Sequence, residues 1–526
     1  MKLFQKKNKE KKTEMAAIKG SRRSVSEICM ALFYFFFALC FSWLIVHVIV
    51  NGYYNYHEVI LLFLILCDLC LLLLFWELIK RHEGVLGKYR EAITIGFLGF
   101  MFIIQIIMGL KLRYKPVWDI DAIYSGAIEW AETGTFSSYY EYFSYFFNNF
   151  GGLYIYSRIF RIVHMLGGKD YFMAATMVNC LLSLSTMYVT GAAAGKLMGI
   201  KGRMMVYMLF LLSMPFYFIA PAFYTDALSM LFPVLIYWLY LLAKEQKKLW
   251  LRFLLYILIG FAAALGISIK PTVAIACIAV LIDAAFHWNW KRSVCMTLVA
   301  TLILVPGLTG LNYSVYKHLD RAEAEQNRTP ILHWVMMGLS DTGMYNNKDY
   351  KFTRSFEDPD ERSDALKEEI KNRIRKLGAG GLVRLFTKKG DICFGDGTYG
   401  LSDFLIGKDE EDTWLRRLVV KGGAYYEYYS HICTGLLLAL YILMIISGLQ
   451  ELFVLKSKTF RALAPRLAVF GLLLFLICWE ARWRYFSNFI PMIFLSALLG
   501  LERFERIVDM VRKRLQLVWS GTSTHQ

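Results

Sequence analysis

The sequence predicts an all-α polytopic membrane protein, and three observations carry that prediction. The 526 residues are 57% hydrophobic and only 19% charged, whereas soluble chains carry about 25% charged residues. Apolar runs of about 18 residues or more recur along the chain, long enough to cross a bilayer as helices. The formal charge of +17 falls in short segments between those runs, the pattern that orients a chain in a membrane. Nucleic acid is therefore not an expected partner, and membrane lipid is. A mean hydropathy of +0.43 agrees. Of the ten cysteines, only Cys393 is read as lying well inside a polar loop. The others behave as small hydrophobes, and no disulfide framework is readable.

Residues 1–25 read as a basic cytoplasmic tail holding Lys2, Lys6, Lys7, Lys9, Lys11, Lys12, Lys19, Arg22 and Arg23. A full-length apolar run follows without a small-residue cleavage site, so the tail is not read as a signal peptide. Residues 26–110 hold three spans, about 26–50, 58–79 and 92–110. The basic loop from Lys80 to Arg90 lies inside. The stretch Lys115-Pro116-Val117-Trp118-Asp119-Ile120-Asp121 then emerges outside and opens a first large loop, 111–170. Its tyrosine-rich run, Tyr139 to Tyr145, reads as an interfacial aromatic belt. The piece 153–166 mixes Arg158, Arg161 and His164 with apolar residues. If it spanned, the later basic loops would fall outside, so it is expected to lie along the membrane surface.

Six spans are expected in 171–311, at about 171–196, 204–220, 227–243, 249–266, 271–286 and 294–311. A second large extracytoplasmic loop, 312–428, carries a charge-rich helix over 358–376 and glycine-punctuated pieces such as Gly395-Asp396-Gly397-Thr398-Tyr399-Gly400. Residues 429–501 give spans ten to twelve, with Lys456, Lys458, Arg461 and Arg466 inside, and 502–526 form a basic cytoplasmic tail. The count is about twelve helices in the cell membrane, both termini cytoplasmic, without an internal repeat of equal halves.

That topology gathers the unusual charges on one face. Asp119 and Asp121 sit in the first loop, Asp226 starts span six, Lys270 starts span eight, and Glu480, Arg482 and Arg484 end span eleven. Charges at membrane depth are costly unless paired or used. Acids and bases together suit removal of a proton from an acceptor hydroxyl beside cations that hold a lipid phosphate. Each signal has a plainer reading. Asp-x-Asp and Tyr224-Thr225-Asp226 can be helix caps, Lys270 can snorkel, and Arg482 and Arg484 can be interface anchors. His333 can be structural. Asp119 and Asp121 also have a spacing that could hold a divalent metal. The glycosylation patterns at Asn312 and Asn327 carry no weight.

The run Trp118-Asp119-Ile120-Asp121 with Tyr124 and Ala127, then Tyr224-Thr225-Asp226, Lys270-Pro271-Thr272, and Arg484-Tyr485 with Pro491, resembles the GT-C glycosyltransferases. The group concerned is family 39, with the protein O-mannosyltransferases and the lipid A aminoarabinose transferases. The likeness is best over 110–270 and looser over 480–491. The family commonly has Asp-Glu adjacent where this chain has Asp-Ile-Asp, and the two spans ahead of the usual first helix also depart from it. Eight-residue spacing to Ala127 favours Asp119 over Asp121. The second loop, with His333-Trp334-Val335-Met336-Met337-Gly338, is similar to that of a subgroup in Gram-positive bacteria.

The resemblance implies a GT-C-like fold and transfer of a sugar from a polyprenyl-phosphate donor to a cell-envelope acceptor, with inversion. Asp119 or Asp121 would be the base. Lys270, Arg482, Arg484 and Tyr485 would hold the phosphate, and Tyr224, Asp226, His333 and Glu480 would contact substrate. No nucleotide sugar or Rossmann domain is needed. A transporter or flippase of a lipid-linked sugar and a surface-glycan polymerase or ligase are the alternatives.

Overall fold

The computed structural model describes residues 25–408, 410–453 and 461–522. The expected N-terminal basic tail, and Lys456 and Lys458 of the expected inside loop, lie outside the described residues. Among the described residues the fold is all helical, and the sole strand-like pairing is an isolated bridge between Lys115 and Lys408.

The N-terminal layer is α1 (Val25–Asn51), α2 (Glu58–Arg81), the short α3 (Glu83–Lys88) and α4 (Arg90–Lys111). Their outward faces carry exposed Phe35, Phe63, Leu66, Ile95 and Ile103, as expected where hydrocarbon is the solvent. The first loop then folds as α5 (Trp118–Thr133), α6 (Tyr140–Tyr145) and α7 (Phe150–Met165). Helix α7 packs along α5. A Cβ on Gly151 would sit 2.1 Å from the Ser268 carbonyl oxygen, so only glycine lets α7 rest on the backbone just before Lys270.

Helix α8 (Tyr171–Leu212) contains the expected fourth and fifth spans as two limbs. It breaks at Met198 and at Gly199, whose φ is +66°. Tyr207 on the second limb packs against Gly191 on the first, so the limbs fold back on each other. The second limb ends at Leu212, earlier than expected, because Pro215 opens a 3-10 turn there. Next come α9 (Thr225–Ser229), α10 (Leu231–Glu245), α11 (Leu249–Ile269), α12 (Val273–His287) and α13 (Trp290–Tyr316). Helix α13 is peripheral and almost wholly unburied.

The second loop is a folded subdomain. It comprises α14 (Arg321–Asn327), α15 (Ile331–Gly338), α16 (Asn347–Arg354), α17 (Pro359–Phe394), α18 (Leu401–Leu405) and α19 (Trp414–Val419). The expected helix at 358–376 starts on cue, because the Asp358 carboxylate caps the amides of Asp360 and Glu361 ahead of Pro359. It runs past 376 to Phe394 across a break at Gly378, since its second half is held against α1 and α21. Cys393 is accordingly not in a polar loop: it is fully buried at the end of α17. All ten cysteines are free. The chain closes with α20 (Tyr426–Phe453), α21 (Leu463–Cys478) and α22 (Ile490–Thr522).

Among the described residues, eight helices are long and apolar enough to cross a membrane. The sequence count of twelve differs for three reasons. Two expected spans are the limbs of α8. Helices α12 and α21 are apolar but have only 15 and 16 residues, and they pack on each other. Helix α22 is apolar at its start and charged beyond Gly500, so the expected tail at 502–526 continues a helix through Thr522. Helix α20 packs on α22 and α2 and is among the most buried of the long helices.

Candidate functional site

Helix α5 begins abruptly. Val117 precedes it in extended backbone without a side-chain cap, and Trp118 takes φ +53° while 73% exposed. A positive φ is costly for a bulky residue. The first turn holds both acids, where the helix dipole favours negative charge. Neither caps the helix. The Tyr142 hydroxyl donates to Asp119 Oδ1 at 3.0 Å, and the Tyr224 hydroxyl donates to Oδ2 at 3.3 Å. Asn149 Nδ2 in turn donates to the Tyr142 oxygen at 2.6 Å. Asp121 turns elsewhere: it accepts from the Ser125 hydroxyl at 2.6 Å and from Tyr139 at 3.1 Å.

From Asp119 one polar chain runs through the molecule. The Arg484 guanidinium lies 4.7 Å from the centre of the Tyr224 ring. Arg484 Nε is 3.6 Å from Asp226 Oδ2, and its Nη1 is 3.7 Å from an Asp403 oxygen. Asp226 is fully buried and does not cap its helix; it holds the Lys270 ammonium in an ion pair. That ammonium also lies 4.9 Å from the Tyr485 ring centre. The Tyr485 hydroxyl donates to Glu480 at 3.2 Å, and Arg482 Nε approaches the other Glu480 oxygen at 3.4 Å. Arg482 lies 6.0 Å from the Tyr345 ring. Burial pulls the Lys270 ammonium below its ordinary range, against the pull of Asp226. It pushes the Glu480 carboxyl up, against Arg482 and Arg484.

The structure therefore joins Asp119, Tyr224, Asp226, Lys270, Glu480, Arg482, Arg484 and Tyr485 into one constellation. Asp121 stands beside it with its own partners. His333 does not belong to it, which corrects the sequence expectation. His333 is buried inside the second loop, its Nδ1 2.6 Å from the Thr353 hydroxyl, and burial lowers its pKa to about 4. Its neighbours there are Asp349 and Arg354, and the Asp349–Arg373 ion pair closes that small core. The adjacent Trp334 reaches toward the site instead, stacking on Trp479 at 6.2 Å. Sequence reasoning missed Tyr142, Asn149 and Asp403. Tyr142 was hidden in the aromatic run read as a membrane belt. Asp403 follows the glycine turn, whose Gly400 packs against the Arg484 backbone.

The residues do not fit a divalent cation. Asp119 and Asp121 point at different hydroxyls, and no group of three or more His, Cys, Asp or Glu converges among the described residues.

A family described as "conserved hypothetical integral membrane protein" matches residues 19–504. The chain belongs to this family. It is an integral, multi-pass membrane protein. No curated protein matches it.

Proposed function

We propose that this membrane protein is a glycosyltransferase that moves a sugar from a polyprenyl-phosphate carrier to a hydroxyl of a cell-envelope acceptor outside the cytoplasm. The observation that carries the reading is the continuous chain from Asp119 through Tyr224, Arg484, Asp226 and Lys270 to Glu480. It sets the half-buried Asp119 carboxylate beside the buried Lys270 and the half-buried Arg484 at the meeting point of α5, α9, α11 and the segment after α21. The strained, exposed Trp118 next to Asp119 supports a functional role, since such outliers persist where the surroundings enforce them.

In this reading Asp119 takes the proton from the acceptor hydroxyl. The oxygen attacks the anomeric carbon on the face opposite the phosphate. The bond from that carbon to the phosphate oxygen breaks, and its electron pair leaves with the phosphate, so the configuration inverts. Arg484 and Lys270 stabilise the departing charge. Asp226 and Asp403 hold the guanidinium in place. The GT-C-like fold with twelve spans, both termini inside, belongs to the same proposal.

The test is transfer by the purified full chain in nanodiscs, with a polyprenyl-phosphate sugar and a cell-envelope acceptor fraction. Asp119→Asn is expected to lower the rate about 10²- to 10⁴-fold, the range of a general base. Asp121→Asn is expected to lower it less than about tenfold, because its bonds stay within α5 and Tyr139. Equal rates in wild type and Asp119→Asn would remove Asp119 from the chemistry. Passage of labelled lipid across the bilayer without consumption would make the protein a transporter.

A further inference from the structure

The end of α4 and the stretch after it face the segment before α19 across a groove of about 700 Å³. Leu110, Lys111, Arg113 and Lys115 line one wall, and Glu411 and Trp414 line the other. The first wall is firmly built. Lys115 and Lys408 exchange backbone hydrogen bonds at 3.0 and 2.9 Å. Arg416, buried behind it, donates to the carbonyls of Leu112 and Arg113 at 3.4 and 3.3 Å. The Tyr114 hydroxyl fastens the same stretch to the Pro221 carbonyl at 3.0 Å.

The charges in the groove are unequally used. Arg113 is held by both oxygens of Asp170. Lys111 and Lys115 are exposed and have no ion pair among the described residues. The groove opens beside the outward stripe of α4, where Ile103, Ile107 and Leu110 are exposed. Trp414, 62% exposed, stands opposite, and an amphipathic ring of this kind suits the headgroup level of a bilayer.

We propose that this groove binds the phosphate headgroup of an anionic bilayer phospholipid. Lys111 and Lys115 meet the phosphate, while Leu110 and Trp414 flank the glycerol and the start of the acyl chains. A bilayer lipid is the occupant because the groove opens on the apolar stripe and shares no residue with the Asp119 constellation. The binding is independent of the sugar-transfer reading.

The test is native mass spectrometry of the detergent-purified full chain given phosphatidylglycerol or phosphatidylcholine. Two lysines at a membrane surface give an expected preference for phosphatidylglycerol of about tenfold or more. The Lys111→Gln/Lys115→Gln variant should lose that preference. Glu411→Gln, which removes the one acid on the opposite wall, should strengthen it, and this variant leaves the lysines and the bridge intact. Equal retention of the two lipids by wild type would overturn the proposal, as would an unchanged preference in the lysine variant. Full displacement by inorganic phosphate would reassign the groove to free phosphate. Tighter retention of a polyprenyl phosphate than of phosphatidylglycerol would reassign it to the carrier lipid. Either result would overturn the bilayer-lipid assignment.

Discussion

At the scale of single residues, the site depends on how neighbouring side chains orient two acids. Tyr224 does double duty: its hydroxyl donates to Asp119 and its ring faces Arg484. Tyr224→Phe keeps the ring and loses only the hydrogen bond, a change of about 1 kcal/mol. Tyr224→Leu loses both contacts. Transfer should therefore fall a few-fold in the first and clearly further in the second, and equal rates would show that the ring contact does nothing. His333 gives a pH test away from the site. Its pKa falls from the ordinary 6.5 to about 4 through burial. Between those values the unfolded chain binds a proton that the folded chain refuses. Stability contributed by the neutral imidazole is thus whole above about pH 6.5 and is lost as pH falls toward 4, by about 3 kcal/mol. Thermal melts in detergent should show a steeper acid decline for wild type than for His333→Gln. Parallel declines would assign the acid sensitivity elsewhere.

At the scale of elements, short backbone contacts place the cations. Gly400 sits at φ +65°, and a Cβ there would lie 2.8 Å from the Arg484 Cα. Gly400→Ala therefore meets both the left-handed penalty of about 1–2 kcal/mol and a clash with the backbone that carries the guanidinium. Gly134 caps α5 at φ +84° in open space, so Gly134→Ala meets the backbone penalty alone. Melting temperature should fall in both variants, more in Gly400→Ala, and transfer should fall only there. Similar melting and unchanged transfer would show that the glycine turn does not position Arg484. The same logic explains how the second loop serves the site. The turn after α17 is tied by Asp396, which accepts from the Thr398 amide and hydroxyl and from the Gly400 amide. The loop was legible in the sequence as glycine-punctuated, but its packing against residues after α21 was not, because that contact spans about eighty positions of chain.

At the scale of the whole molecule, the short helices α12 and α21 both end at the polar cluster. Lys270 precedes the first, and Glu480 follows the second. With Asp119, Asp226 and Arg484 at the same end, the proposed transfer would take place on one side of the membrane. The basic turn between α10 and α11 marks the other side. Impermeant maleimide on intact cells checks this arrangement in a background with Cys29, Cys67, Cys70 and Cys478 replaced by Ser, since these four cysteines are exposed. Lys408→Cys should label without lysis, and Gln246→Cys only after it. The reverse pattern would invert the topology, and labelling of both without lysis would break it.

The sequence alone determined the membrane class, the position of nearly every long helix, and the gathering of rare charges at one end. Those follow from solvent: hydrocarbon admits helices with satisfied backbones and drives polar side chains to their ends. The tertiary structure decided which charges meet. Asp119 and Asp121 are two residues apart on one helix, about 200° around its axis, so composition and spacing treat them alike while their surroundings differ. Docking of α6 and of the residue before α9 turned Asp119 toward Tyr142 and Tyr224 and left Asp121 with Ser125 and Tyr139. His333 looked equally available in the sequence, yet the folding of α15 against α16 and α17 took it into a separate core. Long-range packing, which no local pattern encodes, made that selection.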